Sequence, residues 1–377
     1  MLERFRRSAP EEKAAAAPIA QRLDAALIAG GAGTRGALAR NPIAYRCARM
    51  IAEGAASVPL SVCENGAVAT DAPLCALLRR PNTDETLPDL LERLYGHLQL
   101  HGDAYLECVR RDGAAVALYA LRPDLVTPIR GQDGWTEGYA YRAGGRERRI
   151  VRQADGFLPI MHLALCDPAG GAEGRSPLDA ARVAVETHDA ASAWNRELLR
   201  NAARPSGAVI HRGPEGAPNL TGEQFDRLRA ELEASFQGGA NAGRPLVLDG
   251  GLDWQPLGLT PQEMDFVELK NAAARDIALA FGVPPQLLGI PGDNTYATYK
   301  EANLAFWRQT VLPLTAKLAS GLTAWLGGAG TRVAYEPSRV DALSSERSEH
   351  LARVVEADFL TDAEKRTALG YPAEAVR

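Results

Sequence analysis

After Pro177 the chain runs to Ala203 with neither Gly nor Pro. Such a run of roughly 27 residues spans about 40 Å as helix. Alanine and other good helix formers fill it, so the backbone preference is consistent along its whole length. A rod that long cannot bury itself, and it has to be paired along its length with another long element. Two candidates follow. One runs from about Pro261 to Phe281 and stops at Gly282-Val283-Pro284-Pro285; the other runs from Tyr299 to Leu326. The latter has Leu304, Trp307, Val311, Leu314, Leu318, Leu322 and Trp325 at alternating three- and four-residue steps, with Pro313 in the middle, where a kink is expected.

The rest of the 377 residues has a different texture. Residues 1–40 are rich in Ala, Gly and Arg without periodicity and read as a flexible arm. Asn41-Pro42 places an N-cap before a first-turn proline and opens a helix to about Ala56. Val58–Val62 reads as a strand turned at Asn65-Gly66 into another. Short helices are expected at Leu74–Arg80 and from Thr86 to His101, the second ending at Gly102. Strands at Asp103–Arg110, Ala114–Leu121, Trp135–Arg142, Arg146–Val151 and Phe157–Leu165, punctuated by Asp-Gly and Gly-Gly turns, mark an antiparallel sheet.

Residues 205–259 have a short strand, a Gly/Pro loop, a helix capped by Thr221 with Gln224, and a hairpin through Asp249-Gly250-Gly251. They form a small α/β module between two long helices. A loop of about fifteen residues, Pro284–Thr298, precedes the third long helix, and loops of that length are usually functional. After a strand at Thr331–Tyr335, two short helices, Ser344–Ala357 and Thr361–Leu369, close the chain. The fold class is α+β.

Hydrophobic residues make up 46% of the chain and charged ones 24%. That supplies real cores and excludes wholesale disorder. Lys plus Arg number 42 against 47 Asp plus Glu, a net charge of −5. This lacks the basic footprint of tight nonspecific DNA binding. Apolar stretches are too short for a membrane span, and the N-terminus has no secretory core, so synthesis in the cytoplasm is expected. The five cysteines, Cys47, Cys63, Cys75, Cys108 and Cys166, form no C-x-x-C pair and read as buried reduced thiols.

Catalytic patterns are broken where they begin. His97 and His101 are spaced as in a zinc protease helix, but Leu98 stands where the base should be. Gly31-Ala32-Gly33-Thr34-Arg35-Gly36 has phosphate-loop glycines followed by Ala37-Leu38 instead of Lys and Ser or Thr. There is no G-x-S-x-G elbow. Asp265 and Glu268 lie at i and i+3, a pair able to do acid–base work or hold magnesium, and more often a solvated face. No cofactor and no resident metal are expected. Three long helices and an inserted module favour a mechanical or assembly role over catalysis.

Several short strings occur in one order over most of the chain. They are Leu74-Cys75-Ala76-Leu77-Leu78-Arg79-Arg80-Pro81-Asn82, His101-Gly102-Asp103-Ala104-Tyr105-Leu106 and Leu118-Tyr119-Ala120-Leu121-Arg122-Pro123. Downstream come Gly174-Arg175-Ser176-Pro177-Leu178, Pro205-Ser206-Gly207 and Gly282-Val283-Pro284-Pro285-Gln286-Leu287-Leu288-Gly289. Thr361-Asp362-Ala363-Glu364-Lys365-Arg366 with Gly370-Tyr371-Pro372 follows. From about Asn41 onward the sequence resembles the portal, or head-to-tail connector, proteins of tailed bacteriophages in the lambdoid siphophage type. Its compact, Ala- and Arg-rich form also resembles the portals of gene transfer agents.

The resemblance implies a ring of about twelve copies at one capsid vertex of a virion or phage-like particle, with double-stranded DNA passing through it during packaging and ejection. It implies a wing (41–176 and 299–340), stem helices (177–204 and 260–283), a clip (205–259), a tunnel loop (284–298) and a crown (341–377). Partners would be the major capsid protein, the large terminase and then a head–tail adaptor, with no membrane. Asn294, Thr295, Tyr296 and Thr298 become the expected DNA contacts, with Lys270, Arg275 and Lys300 touching phosphate transiently. The clip loops, with Arg212, Glu215, Gln237 and Asn241, become the candidates for terminase or adaptor docking. Alanines at 180, 184, 191 and 202 would allow close helix approach, between subunits or within the chain. A metal-dependent or nucleotide-processing enzyme using Asp265 and Glu268, and a monomeric peptide-binding adaptor, are the competing readings.

Overall fold

The computed structural model describes residues 40–171, 173–200, 207–211, 221–227, 230, 252–256, 266–292, 295–343 and 351–369. The first helix, α1 (Pro42–Ser57), starts where the N-cap signal put it: Asn41 Oδ1 accepts from the Ile43 and Ala44 N–H groups at 3.1 and 3.0 Å. Its buried face, Cys47, Ile51 and Ala55 among others, packs on α3 (Leu87–His101), a helix capped at Thr86 and stopped by left-handed Gly102. Leu90, Leu94 and Leu98 of α3 are almost wholly buried. Cutting any one of them to alanine would cost about 2–5 kcal/mol. Between these helices, β1 (Leu60–Glu64) and β2 (Ala67–Ala69) form the expected hairpin, and a short helix α2 (Pro73–Arg79) follows. Asn65 and Gly66 both take positive φ, at 52° and 87°. A two-residue hairpin turn demands that geometry.

Instead of one antiparallel sheet there are two. In the first, β3 (Asp103–Arg111) lies between β4 (Ala114–Leu121) and β8 (Ile160–Ala164). In the second, β6 (Thr136–Ala143) lies between β5 (Val126–Arg130) and β7 (Arg146–Val151). Strand β5 is absent from the sequence reading because Pro128 sits in its middle; the structure tolerates that proline on an edge strand, where no ladder bond is lost inward. Tyr105, Leu121, Tyr139, Ile150 and Ile160 pack between the two sheets. Arg148 of β7 forks onto both carboxylate oxygens of Glu107 on β3, tying one sheet to the other.

The Gly/Pro-free run is interrupted near its start. A first turn, α4 (Pro177–Ala180), is capped by Ser176, whose hydroxyl also donates to the Gln99 carbonyl of α3 at 2.9 Å. Ala181, at φ −82° and ψ 0°, is a turn residue that closes α4 before α5 (Arg182–Arg200) begins. Close approach explains the anchor: a Cβ on Gly102 would lie 2.4 Å from the Gly174 carbonyl oxygen, so neither residue accepts a side chain. In the inserted module, β9 (Gly207–His211) pairs antiparallel with β10 (Leu252–Pro256), while the other strand expected at Asp249-Gly250-Gly251 falls outside the described residues. Thr221 and Gln224 make the expected reciprocal cap.

The second long helix, α6 (Phe266–Phe281), packs along α5, burying Ala273, Ala274, Ile277, Ala278 and Phe281 on one face. Trp194 of α5 stacks on Phe266, ring centroids 6.1 Å apart, and Ala191 is buried within the chain. The third long helix begins earlier than expected and is not one helix. It is α7 (Tyr296–Phe306), a π turn over Trp307–Val311, and α8 (Leu312–Leu326). Pro313 has no N–H for the preceding turn; the local answer is an extra residue in that turn, with the Leu312 N–H reaching back to the Trp307 carbonyl. Leu318 and Leu322 of α8 enter the main core. Strand β11 (Thr331–Tyr335) then pairs with β1, so an early and a late segment of the chain meet in one sheet ordered β11–β1–β2.

At the C-terminal end, residues 351–356 are helical and α9 (Asp362–Ala368) carries the Thr361/Glu364 capping box; 344–350 lie outside the described residues. Four cysteines are buried, and burial pushes the Cys47 thiol up to about 12 and Cys108 to about 11. Cys166 departs from expectation and is exposed, because it follows β8 in the loop leading to α4.

Candidate nucleic-acid interface

Residues 282–292, which follow α6, are a built structure. Gly282 ends α6 at φ +68°, with the Val283 N–H bonded to the Ala278 carbonyl and the Gly282 N–H to the Leu279 carbonyl. Residues Pro285–Leu288 form a 3₁₀ turn closed by left-handed Gly289. Ile290 then folds back and is buried against Ala274 and Ala278 of α6. Arg275 Nη2 donates to the Pro291 carbonyl at 2.5 Å, strapping the turn down. The Thr310 hydroxyl of the π turn donates to the Gly282 carbonyl at 2.6 Å, joining the end of α6 to the helix that follows.

This anchoring redistributes the expected DNA contacts. Thr295 is the N-cap of α7: its N–H bonds to Thr298 Oγ1 at 2.8 Å, and its Oγ1 accepts from the Thr298 N–H at 3.2 Å. Both hydroxyls thus serve the helix start, which is why the loop predicted to extend to Thr298 ends at Thr295. Tyr296 stands in the first turn of α7, 87% exposed, and Lys300 lies one turn on, also exposed. Tyr299, absent from the sequence candidates, is 51% exposed and completes an i, i+3, i+4 surface of two phenols and one ammonium. Arg275, exposed on α6, uses one of its N–H groups to strap the turn.

Lys270 is half-buried beside α5, and its charge helps hold the His188 imidazole below its ordinary pKa, burial being the larger cause. Asn294, Arg212, Glu215, Gln237 and Asn241 lie outside the described residues. So does Asp265, while Glu268 is exposed on α6. Among the described residues no group of three or more His, Cys, Asp or Glu is placed to hold a metal ion, and no helix is long and apolar enough to cross a membrane. His97 and His101 sit edge to face, 6.4 Å between ring centroids, both half-buried on α3.

What the exposed surface of α7 can do chemically is limited and clear. Phenol hydroxyls and one lysine make hydrogen bonds and a point-charge contact to sugar and phosphate, none of which reads bases.

The sequence model of the family described as "Phage portal protein" matches residues 42–370. The chain belongs to the phage portal protein family. It is 26% identical to the portal protein of Enterobacteria phage HK97 over 299 residues, covering 75% of this chain and 66% of that one. A chain in the neck of a native gene transfer agent particle, computed with C12 symmetry, is 44% identical, covers 92% of this chain and 98% of its own length, and superposes with a TM-score of 0.70. A portal protein of the HK97 family from Corynebacterium diphtheriae, 19% identical with a TM-score of 0.57, shares the portal fold. Mixed helix and sheet in the portal arrangement is thus the architecture of this chain, as the α+β expectation held.

Proposed function

We propose that this protein is the portal subunit of a phage-like particle, forming a closed ring at one capsid vertex through which double-stranded DNA passes. The observation that carries the reading is the near full-length likeness to the neck chain of the gene transfer agent particle with C12 symmetry. In this reading α5 and α6 are the stem, residues 205–259 the clip, and 41–176 with 299–340 the wing. Residues 284–298 are the tunnel turn and 341–377 the crown. The role is structural, and the energy for DNA movement comes from a partner terminase.

The α7 surface of Tyr296, Tyr299 and Lys300 faces the DNA path in this proposal. A polyanion that must slide needs contacts that are weak and few, because each Lys or Arg phosphate contact adds to a salt-sensitive hold. One lysine between two phenols in a chain of net charge −5 fits that requirement. The clip loops carrying Arg212, Glu215, Gln237 and Asn241 are assigned to the terminase and later the head–tail adaptor, and the wing to the major capsid protein. Negative-stain electron microscopy with native mass spectrometry across a concentration series tests the ring. Rings of about twelve copies around a hole of duplex width are expected. A protein that stays monomeric, alone and when co-expressed with its capsid protein, would overturn the reading.

A further inference from the structure

Two features on opposite edges of the β5–β6–β7 sheet have no part in the reading above. At the β5 edge lies a cavity of about 320 Å³ whose lining includes Asp103, Tyr105, Asp124, Thr127 and Glu173. Asp103 and Tyr105 alternate onto one face of β3. Asp103 is buried, its Oδ1 accepting from the Gly174 N–H at 2.8 Å and lying 2.6 Å from His162 Nε2; no lysine or arginine reaches it among the described residues. Asp124 and Glu173 hold Arg122 and Arg130 in ion pairs.

Tyr105 is only 3% exposed, stacked on His162 at 4.6 Å, and its hydroxyl has no hydrogen bond among the described residues. Burial, followed by the Asp103 charge, pushes that phenol well above its ordinary pKa, so it stays neutral and its oxygen can accept. The phenol and the Asp103 carboxylate line the same cavity, and both offer oxygen lone pairs to a donor that enters it. What fits is a group that is cationic and planar.

At the β7 edge the hairpin carries Arg142, Arg146, Arg148 and Arg149 around a single Glu147. Arg142 bonds Glu147 at 2.8 Å, Arg149 lies 3.5 Å from it, and Arg148 is spent on Glu107. Arg146, exposed beside the left-handed pair Gly144-Gly145, has no ion-pair partner among the described residues. A ring of identical copies needs unlike, complementary patches on opposite flanks of each subunit. The two edges of this sheet supply them, and Arg148 on Glu107 shows the same chemistry on the same β3 face within one chain.

We propose that Arg146 of one copy enters the Asp103–Tyr105 cavity of the next, forming a head-to-tail clasp between subunits. The proposal rests on the ring reading, and its test separates the two. Thr127→Cys and Ala143→Cys, the latter paired across the hairpin from Arg146 and leaving that arginine in place, are introduced together and singly in a Cys166→Ser background, and the assembled protein is treated with a short bismaleimide. The double variant is expected to give a ladder of covalent multimers that both single variants lack. Independently, Arg146→Glu, a change at an exposed hairpin tip, is expected to lower the ring fraction about tenfold, the effect of losing one charge pair.

Rings on the grid without a ladder, or rings undiminished by Arg146→Glu, would overturn the clasp and leave the ring standing. Absence of rings from the parent protein would overturn both.

Discussion

A single buried amide holds two parts of this molecule together. Asn41 caps α1 with its oxygen while its Nδ2 donates to Asp189 Oδ1 at 2.8 Å and lies 3.2 Å from His188 Nδ1, both on α5. Asn41→Ala removes the cap and both cross-helix contacts, with an expected cost of about 1–2 kcal/mol in thermal or denaturant unfolding. To accept from Asn41, His188 Nδ1 must be unprotonated. Burial first, then Lys270 facing it from α6, lowers its pKa, while Asp189 opposes them. As pH falls through the ordinary histidine range, about 6.5, the unfolded chain takes up a proton that the folded chain refuses, so stability drops. Melting temperatures of the parent between pH 7.5 and 5.5 should fall more steeply than those of His188→Gln, whose amide titrates nowhere in that window.

At the scale of elements, the junction of α6 with the π turn concentrates several constraints. Gly282→Ala would force a non-glycine residue into left-handed geometry, at about 1–2 kcal/mol. It would also place its Cβ 2.9 Å from Thr310 Oγ1. The variant should melt lower than the parent, and proteolysis near residues 284–292 should rise with it. Signals confined to a few neighbouring residues were the ones legible in the sequence: the Asn41, Thr86, Thr221 and Thr361 caps, the Asn65-Gly66 turn, and the stops at Gly102 and Gly282. Features set by distant partners were not. The π turn replaces a simple proline kink, and Ala181 breaks a run that reads as continuous. Residues 284–292 fold down through Ile290 and Arg275, contacts that no local pattern announces. The same limit hid Tyr299, whose exposure depends on where α7 starts, and the cavity at Asp103, which joins β3, β5 and the loop before α4.

In the proposed ring, a DNA path lined by weak contacts would have a consequence that can be measured. Lys300→Glu should leave rings intact on the grid yet lower the nuclease-protected DNA per particle, while unchanged packaging would remove Lys300 from the path. Its side chain lies on α7, exposed, so the substitution should not disturb the fold. The same helix contains something further. A π turn is a dislocation: one surplus residue that a helix can hand along by exchanging one hydrogen bond at a time. Pro313 has no N–H to exchange, so that surplus is barred from travelling into α8, which the core holds through Leu318 and Leu322. Only the direction of Tyr296 is open. Residues overtaken by the dislocation would swing about the axis by roughly 100° and advance by about 1.5 Å, while those beyond it on either side kept their places. Side chains along α7 could thus be re-aimed without the rod itself having to slide.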